Sequence, residues 1–159
     1  MSFSVTLTSQ EMATCRMLGN LRSIASRGTG IKDVQMGKQS PLEIDEFGIM
    51  GEYAFCKHFN IFFDPVTYAR AGGYDCILRG KRVDIKTTPY TSGKLIATLK
   101  KNMDIDVFVL AIARNGGQVI EFPGYITANN LYQDVNVKDL GHGDTYAVDQ
   151  AFLSPWKAE

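Results

Sequence analysis

Asp84 and Lys86 stand two apart in RGKRVDIKTT, residues 79–88. On a strand they project from one face, while Val83 and Ile85 project from the other. A second acid, Asp75 in YDCILR, precedes a turn around Arg79, Gly80 and Lys81. A two-residue turn at Gly80-Lys81 sets Asp75 opposite Lys86 and Ile77 opposite Asp84, whereas one at Arg79-Gly80 sets Asp75 opposite Asp84. Both registers gather Asp75, Asp84 and Lys86 on one face; a three-residue turn without a bulge sends Asp75 to the other. Opposed residues of an antiparallel pair have Cβ atoms about 4.5–5.5 Å apart. Two carboxylates that close repel unless a shared proton, the Lys86 ammonium or a divalent cation compensates.

Hard cations such as Mg²⁺ take oxygen ligands and keep positions open for water and a phosphate oxygen, so this set suits phosphodiester hydrolysis. Lys86 would then orient or deprotonate the attacking water, or offset charge in the transition state. If repulsion dominates in the metal-free protein, Asp84→Asn should leave it equally or more stable. A third acid, Glu52, has Gly48, Ile49, Phe55 and Cys56 as its helical neighbours and no basic partner among them. It is either an acid at the rim of the core or one directed into a pocket.

These residues need elements to hold them. Thr8 and Glu11 form a capping box ahead of a helix whose Met12, Met17, Leu18, Leu21 and Ile24 recur at helical spacing, with Gly28 and Gly30 at its end. A second helix, PLEIDEFGIMGEYAFCKHF, starts from Ser40 as cap, Pro41 in the first turn and Glu43 as box partner. After Asn60 the pattern turns to strands: YDCILR, KRVDIKT, KLIATL, and DIDVFVLAIA, which is apolar on both faces and so expected at the centre of a sheet. QVIEF follows, Pro123-Gly124 is expected to break it, and Thr127 caps a short helix, TANNLYQ. The tail DTYAVDQAFLSPW alternates weakly and has no assigned place. The expected class is α/β (α+β), a central mixed sheet flanked by helices, in one domain spanning 1–159.

Composition narrows the setting. A chain of 159 residues with 45% hydrophobic content can enclose a core. It has no apolar run of the ~18 residues a membrane span needs and no signal-peptide pattern, so a soluble, cytoplasmic protein without a membrane partner is expected. Cys15, Cys56 and Cys76 lack metal or disulfide spacing, and His58 and His142 are too few for a zinc cluster. The formal net charge is zero. Its distribution is uneven: residues 67–101 carry 8 basic and 2 acidic side chains between two acidic flanks. Such a patch attracts phosphates even on a neutral protein. Arg70, Arg82, Lys94, Lys100 and Lys101 are the candidate phosphate contacts, Arg82 foremost because it shares the Asp84/Lys86 face of a regular strand. Tyr68, Tyr74 and Tyr90 are interleaved with them, either stacking on bases or packing at strand ends.

Gly51-Glu52 in a helix, then YDC with Asp75, then VDIK with Asp84, Ile85 and Lys86, resembles the PD-(D/E)XK nuclease superfamily in its small phage-encoded form. The resemblance extends loosely over residues 5–127, with LTSQE opening a helix and FPGYIT after the core strands. Gly73-Tyr74 stands before Asp75 where a proline occurs in the motif's name. The resemblance implies a restriction-endonuclease-like core and an Mg²⁺ ion, replaceable by Mn²⁺, on Asp75, Asp84 and the Ile85 backbone carbonyl. Glu52 would complete the site directly or through water, and Lys86 would serve the nucleophile. It further implies an endonuclease that hydrolyses DNA in preference to RNA, encoded by a phage acting in a bacterial host. A homodimer would suit cutting both strands of a duplex, although no segment reads as its interface. Two other readings stand beside this one: a catalytically inactive nuclease-like domain that binds nucleic acid or another protein, and a purely structural protein.

Overall fold

In the structure, a computed structural model that describes residues 2–29, 40–66 and 73–157, the chain runs β1 (Phe3–Thr6), α1 (Ser9–Thr29), α2 (Pro41–Phe59), β2 (Cys76–Leu78), β3 (Lys81–Thr88), β4 (Leu95–Ala97), β5 (Val107–Arg114), β6 (Val119–Thr127), α3 (Ala128–Leu131), β7 (Val137–Asp139) and β8 (Asp144–Val148). Five strands form a mixed sheet in the order β1-β6-β5-β3-β2; β3 and β5 are parallel and the other neighbours antiparallel. The class is therefore mixed α/β. The weakly alternating tail supplies β8, which pairs with β4 and β7 in a separate three-stranded sheet.

The layering departs from a sheet flanked by helices on both sides. Strand β5 is apolar on both faces, as expected of a covered strand. Its Val109, Ala111 and Ala113 join Val83 and Ile85 of β3 and Ile49, Met50 and Phe55 of α2 in one core. Phe108 and Leu110 point the opposite way, into a second core with Leu95, Leu131, Tyr146 and Val148. One face thus carries the long helices, and the small sheet with α3 covers the other. Strand β6 runs through Pro123-Gly124 instead of breaking there. The β5–β6 register shifts between Leu110 and Ile112, so Phe122 and Pro123 together oppose Ala111. A bulge is where a residue without an N–H does no harm to a ladder. No helix among the described residues is long and apolar enough to cross a membrane.

Both helix starts form as their sequences dictate. The Thr8 N–H donates to Glu11 Oε1 at 2.8 Å and the Glu11 N–H to Thr8 Oγ1 at 3.1 Å, a reciprocal capping box. Ser40 caps α2 by accepting from the Glu43 N–H at 3.2 Å. Thr127 caps α3. The face of α1 that turns inward keeps only part of the expected stripe: Met12 and Leu18 pack against the first core. Met17, Leu21 and Ile24 are exposed, whereas Cys15, Gly19 and Ser23 are buried and Arg22 is half-buried. Close contact decides this: an added Cβ on Gly19 would lie 2.7 Å from the Glu46 Cα of α2, so only a helix face of small residues fits there.

Glu11 ties α1 to α2 by accepting from Lys57 Nζ at 2.7 Å and from the Tyr53 hydroxyl at 2.9 Å. Burial acts against its charge, but the hydrogen bonds from Lys57, Thr8 and Tyr53 outweigh it and hold the carboxyl at about 2, below its ordinary 4.5. A depressed folded pKa contributes stability in full above the unfolded value and loses it as pH falls toward the folded one. The melting-temperature gap between wild type and Glu11→Gln is therefore expected to close as pH falls from 5 to about 2, and to stay constant above 5.

Helix α2 lies directly on β3. A Cβ at Gly51 would meet Thr87 Oγ1 at 2.0 Å, while one at Gly48 would meet nothing within 4 Å. Gly51→Ala is expected to cost about 1–3 kcal/mol in urea denaturation through overpacking. Gly48→Ala, which only improves helix propensity, is expected to stabilise by up to about 1 kcal/mol.

Candidate active site

The hairpin turn is Arg79-Gly80, with φ of 51° and 78°, the pair of positive angles a two-residue type I′ turn needs. Pairing runs Leu78↔Lys81, Ile77↔Arg82 and Cys76↔Val83. The turn is the second of the two the sequence allows, but regular pairing ends at Cys76↔Val83, and the ladder is irregular at Asp75. Asp75 stands just before the first residue of β2, and it extends the ladder partly with its side chain. Its N–H donates to the Val83 carbonyl at 2.8 Å, and its Oδ2 accepts from the Ile85 N–H at 2.7 Å. The carboxylate therefore lies edge-on to β3 at the end of the hairpin. The Ile85 carbonyl leaves β3 on the same edge as its N–H, beside Asp75.

Asp84 is 6% exposed, and its Oδ2 lies 2.9 Å from Lys86 Nζ. Burial pulls the Lys86 pKa down, but the attraction of Asp84, its hydrogen bond and then the more distant Asp75 prevail and raise it. Lys86 is thus an ammonium at neutral pH, 6.0 Å from the centre of the Phe108 ring. Of the roles open to it, charge compensation and hydrogen-bond donation fit this state; proton abstraction does not. Of the three compensations the sequence reading offers, the Lys86 ammonium is the one beside Asp84 here.

Glu52 is buried, at 5% exposure, but its partner comes from the other helix. Arg22 of α1 grips both oxygens, Nη1 to Oε1 at 2.9 Å and Nη2 to Oε2 at 3.3 Å. The Arg22 pKa is lowered by desolvation and raised further by Glu52, then by Asp75 and Asp45, for a net rise. A chain of alternating charge thus runs from Glu52 through Arg22 and Asp75 to Lys86 and Asp84. It crosses the sheet at its edge: α2 packs on the Val83/Ile85 face, whereas Lys86 projects toward Phe108 on the opposite one. The expectation that Glu52 joins Asp75 and Asp84 as a metal ligand meets a correction here. Among the described residues, no group of three or more His, Cys, Asp or Glu side chains is placed to hold a metal ion. Asp75 and Asp84, which both act on the Lys86 charge, offer carboxylate oxygens of the kind Mg²⁺ takes, commonly one or two with its waters retained.

Asp84 and Lys86 open into a cleft of about 1020 Å³ between the hairpin and the small sheet. Lys94, Lys100 and Lys101 line it, together with Tyr90 and Asn102. Three of the five expected phosphate contacts therefore share the cleft with the Asp84–Lys86 pair. Lys94 is ion-paired with Asp149, while Lys100 and Lys101 are exposed. Arg82 does not line the cleft. Because β3 and β5 run parallel, the approach to β5 brings Asp106 beside it, and the Arg82 Nε and Nη2 donate to Asp106 Oδ2 and Oδ1, both at 3.1 Å. Arg70 and Tyr68 lie outside the described residues. Tyr74 packs against the second core, whereas Tyr90 is 43% exposed.

Arg22 and Asp45 are the members of this network that sequence reading missed. Arg22 sits four residues after Leu18, and a basic residue next to an apolar stripe reads as solvated. The lack of a local partner for Glu52 was the one available signal that a distant cation must meet it. Comparison of the chain with protein-family models, with curated proteins and with solved structures finds no match in any of the three.

Proposed function

We propose that this chain is a metal-dependent nuclease that hydrolyses DNA phosphodiester bonds, built on a restriction-endonuclease-like core of which the β2–β3 hairpin and the parallel β3–β5 pair are the centre. The observation that carries the reading is the end of the hairpin: the Ile85 N–H fixes the Asp75 carboxylate there, Lys86 is held 2.9 Å from Asp84, and Asp84 and Lys86 face a lysine-lined cleft. Asp75, Asp84 and the Ile85 carbonyl would hold Mg²⁺ or Mn²⁺, which would polarise the phosphate and lower the pKa of an attacking water.

The chain's own groups supply the rest. Asp84 and Asp75 fix the oxygen donors on a two-stranded support, with the Ile85 N–H orienting Asp75. Lys86, as an ammonium, donates to the attacking water or to a non-bridging phosphate oxygen and offsets charge that develops there. Lys94, Lys100 and Lys101 attract the flanking phosphates. Glu52, held by Arg22, acts on the site through Arg22 and Asp75 and not as a ligand.

The test is cleavage of plasmid and oligonucleotide DNA with Mg²⁺ or Mn²⁺ by wild type, Asp84→Ala and Lys86→Ala. Metal-dependent cutting lost in both variants supports the nuclease. DNA binding without cutting under either metal, unchanged by Lys86→Ala, would instead establish the alternative, a nuclease-like domain that only binds.

A further inference from the structure

The depth of the site restricts what can reach it. Asp84 is 6% exposed, so a phosphate must enter the cleft to approach it. That space, about 1020 Å³, is close to the upper end of the ~300–1,000 Å³ usual for sites that enclose small ligands. A duplex, stiff over about 150 base pairs, bends poorly to lower one phosphate into such a space. A strand released from its complement is thin enough to do so.

The lining suits the released strand as well. Among the described residues, Lys86, Lys94, Lys100 and Lys101 face the cleft against the carboxylates Asp84 and Asp104. Tyr90, exposed on the segment between β3 and β4, adds an aromatic face at the mouth. A cationic groove that tracks a backbone, with an aromatic side chain for the bases, is the arrangement that binds single strands with little regard to sequence. Tyr132 also lines the cleft, where its ring packs against Phe108 and Tyr146 and its hydroxyl accepts from the Asn102 N–H at 3.0 Å.

We infer that the cleft takes single-stranded DNA, such as a free end, flap or gap, with Lys100 and Lys101 on the phosphates flanking the one at Asp84 and Lys86, and with a base stacked on Tyr90. The inference rests on reading Asp84 and Lys86 as a phosphodiester-hydrolysing pair, and it names the substrate of that pair.

The experiment measures binding of a fluorescent 20-nucleotide DNA strand and of the same strand annealed to its complement. The full chain is used in EDTA across a salt series, alongside cleavage of both substrates in Mg²⁺. The single strand is expected to bind at least tenfold more tightly than the duplex. The Lys100→Ala/Lys101→Ala variant, altered at exposed positions, is expected to reduce the slope of log K against log salt by about 1.4, the value for two phosphate contacts on a single strand. Tyr90→Ala is expected to weaken single-strand binding about fivefold or more. Equal or tighter binding of the duplex, or an unchanged salt slope in the double variant, would overturn the inference. Single-strand preference without cleavage leaves the strand assignment standing and removes the nuclease reading. Cleavage of intact duplex as fast as single strand does the reverse.

Discussion

Asp84→Asn is expected to lower Mg²⁺-dependent DNA cleavage by about 10³-fold under the proposed chemistry, while moving the melting temperature of the metal-free protein by only a few degrees. The first effect follows because the substitution removes one of two anionic oxygen donors and the partner that fixes Lys86, and losing even one preorganised electrostatic contact typically costs about 10²–10³ in rate. The second follows from opposing changes. Asparagine forfeits an ion pair whose lysine side chain is 41% exposed, and such partly solvated pairs contribute about 0–1 kcal/mol. It also removes the repulsion between Asp84 and Asp75, which leaves Lys86 with Asp75 as its remaining counter-charge. Initial rates over a range of Mg²⁺ concentrations, with calorimetry in EDTA, separate the two effects. A loss of activity matched by a collapse in melting temperature would assign Asp84 to the scaffold and not to catalysis.

The hairpin was readable because its determinants are local. A two-residue turn at Arg79-Gly80 fixes the register by counting, and strand alternation then assigns Asp84 and Lys86 to one face. Helix starts were readable for the same reason, since Thr8 with Glu11 and Ser40 with Pro41 act within a few residues. What remained hidden depends on contacts distant in sequence. The inward face of α1 is selected by the close approach of Gly19 to Glu46, which overrides the Met17/Leu21/Ile24 stripe. Pro123 stays within β6 because the bulge opposite Ala111 tolerates it. Arg82 turns away from the cleft because Asp106, 24 residues later, lies beside it. The second sheet was hidden because three short strands with weak alternation acquire their pairing only from one another. For the site, the Asp84–Lys86 pair was legible, whereas the Arg22 hold on Glu52, 30 residues apart, was not.

Arg22→Ala is expected to destabilise the protein by about 3–5 kcal/mol, the cost of leaving one half of a buried ion pair without its partner. Glu52 has a side chain 6% exposed, so water cannot replace the guanidinium that grips both its oxygens. Arg22→Met/Glu52→Met removes both charges while keeping the volume. It is expected to fall within about 1–2 kcal/mol of wild type, because apolar replacement of a whole buried pair is often neutral. Urea denaturation at pH 7 of wild type, Arg22→Met, Glu52→Met and the double variant gives the coupling energy directly. Additive single effects would mean that Arg22 and Glu52 act independently. Strong coupling would mean that the two long helices are joined by this pair, and that Arg22, which also senses Asp75, links the helical layer to the hairpin.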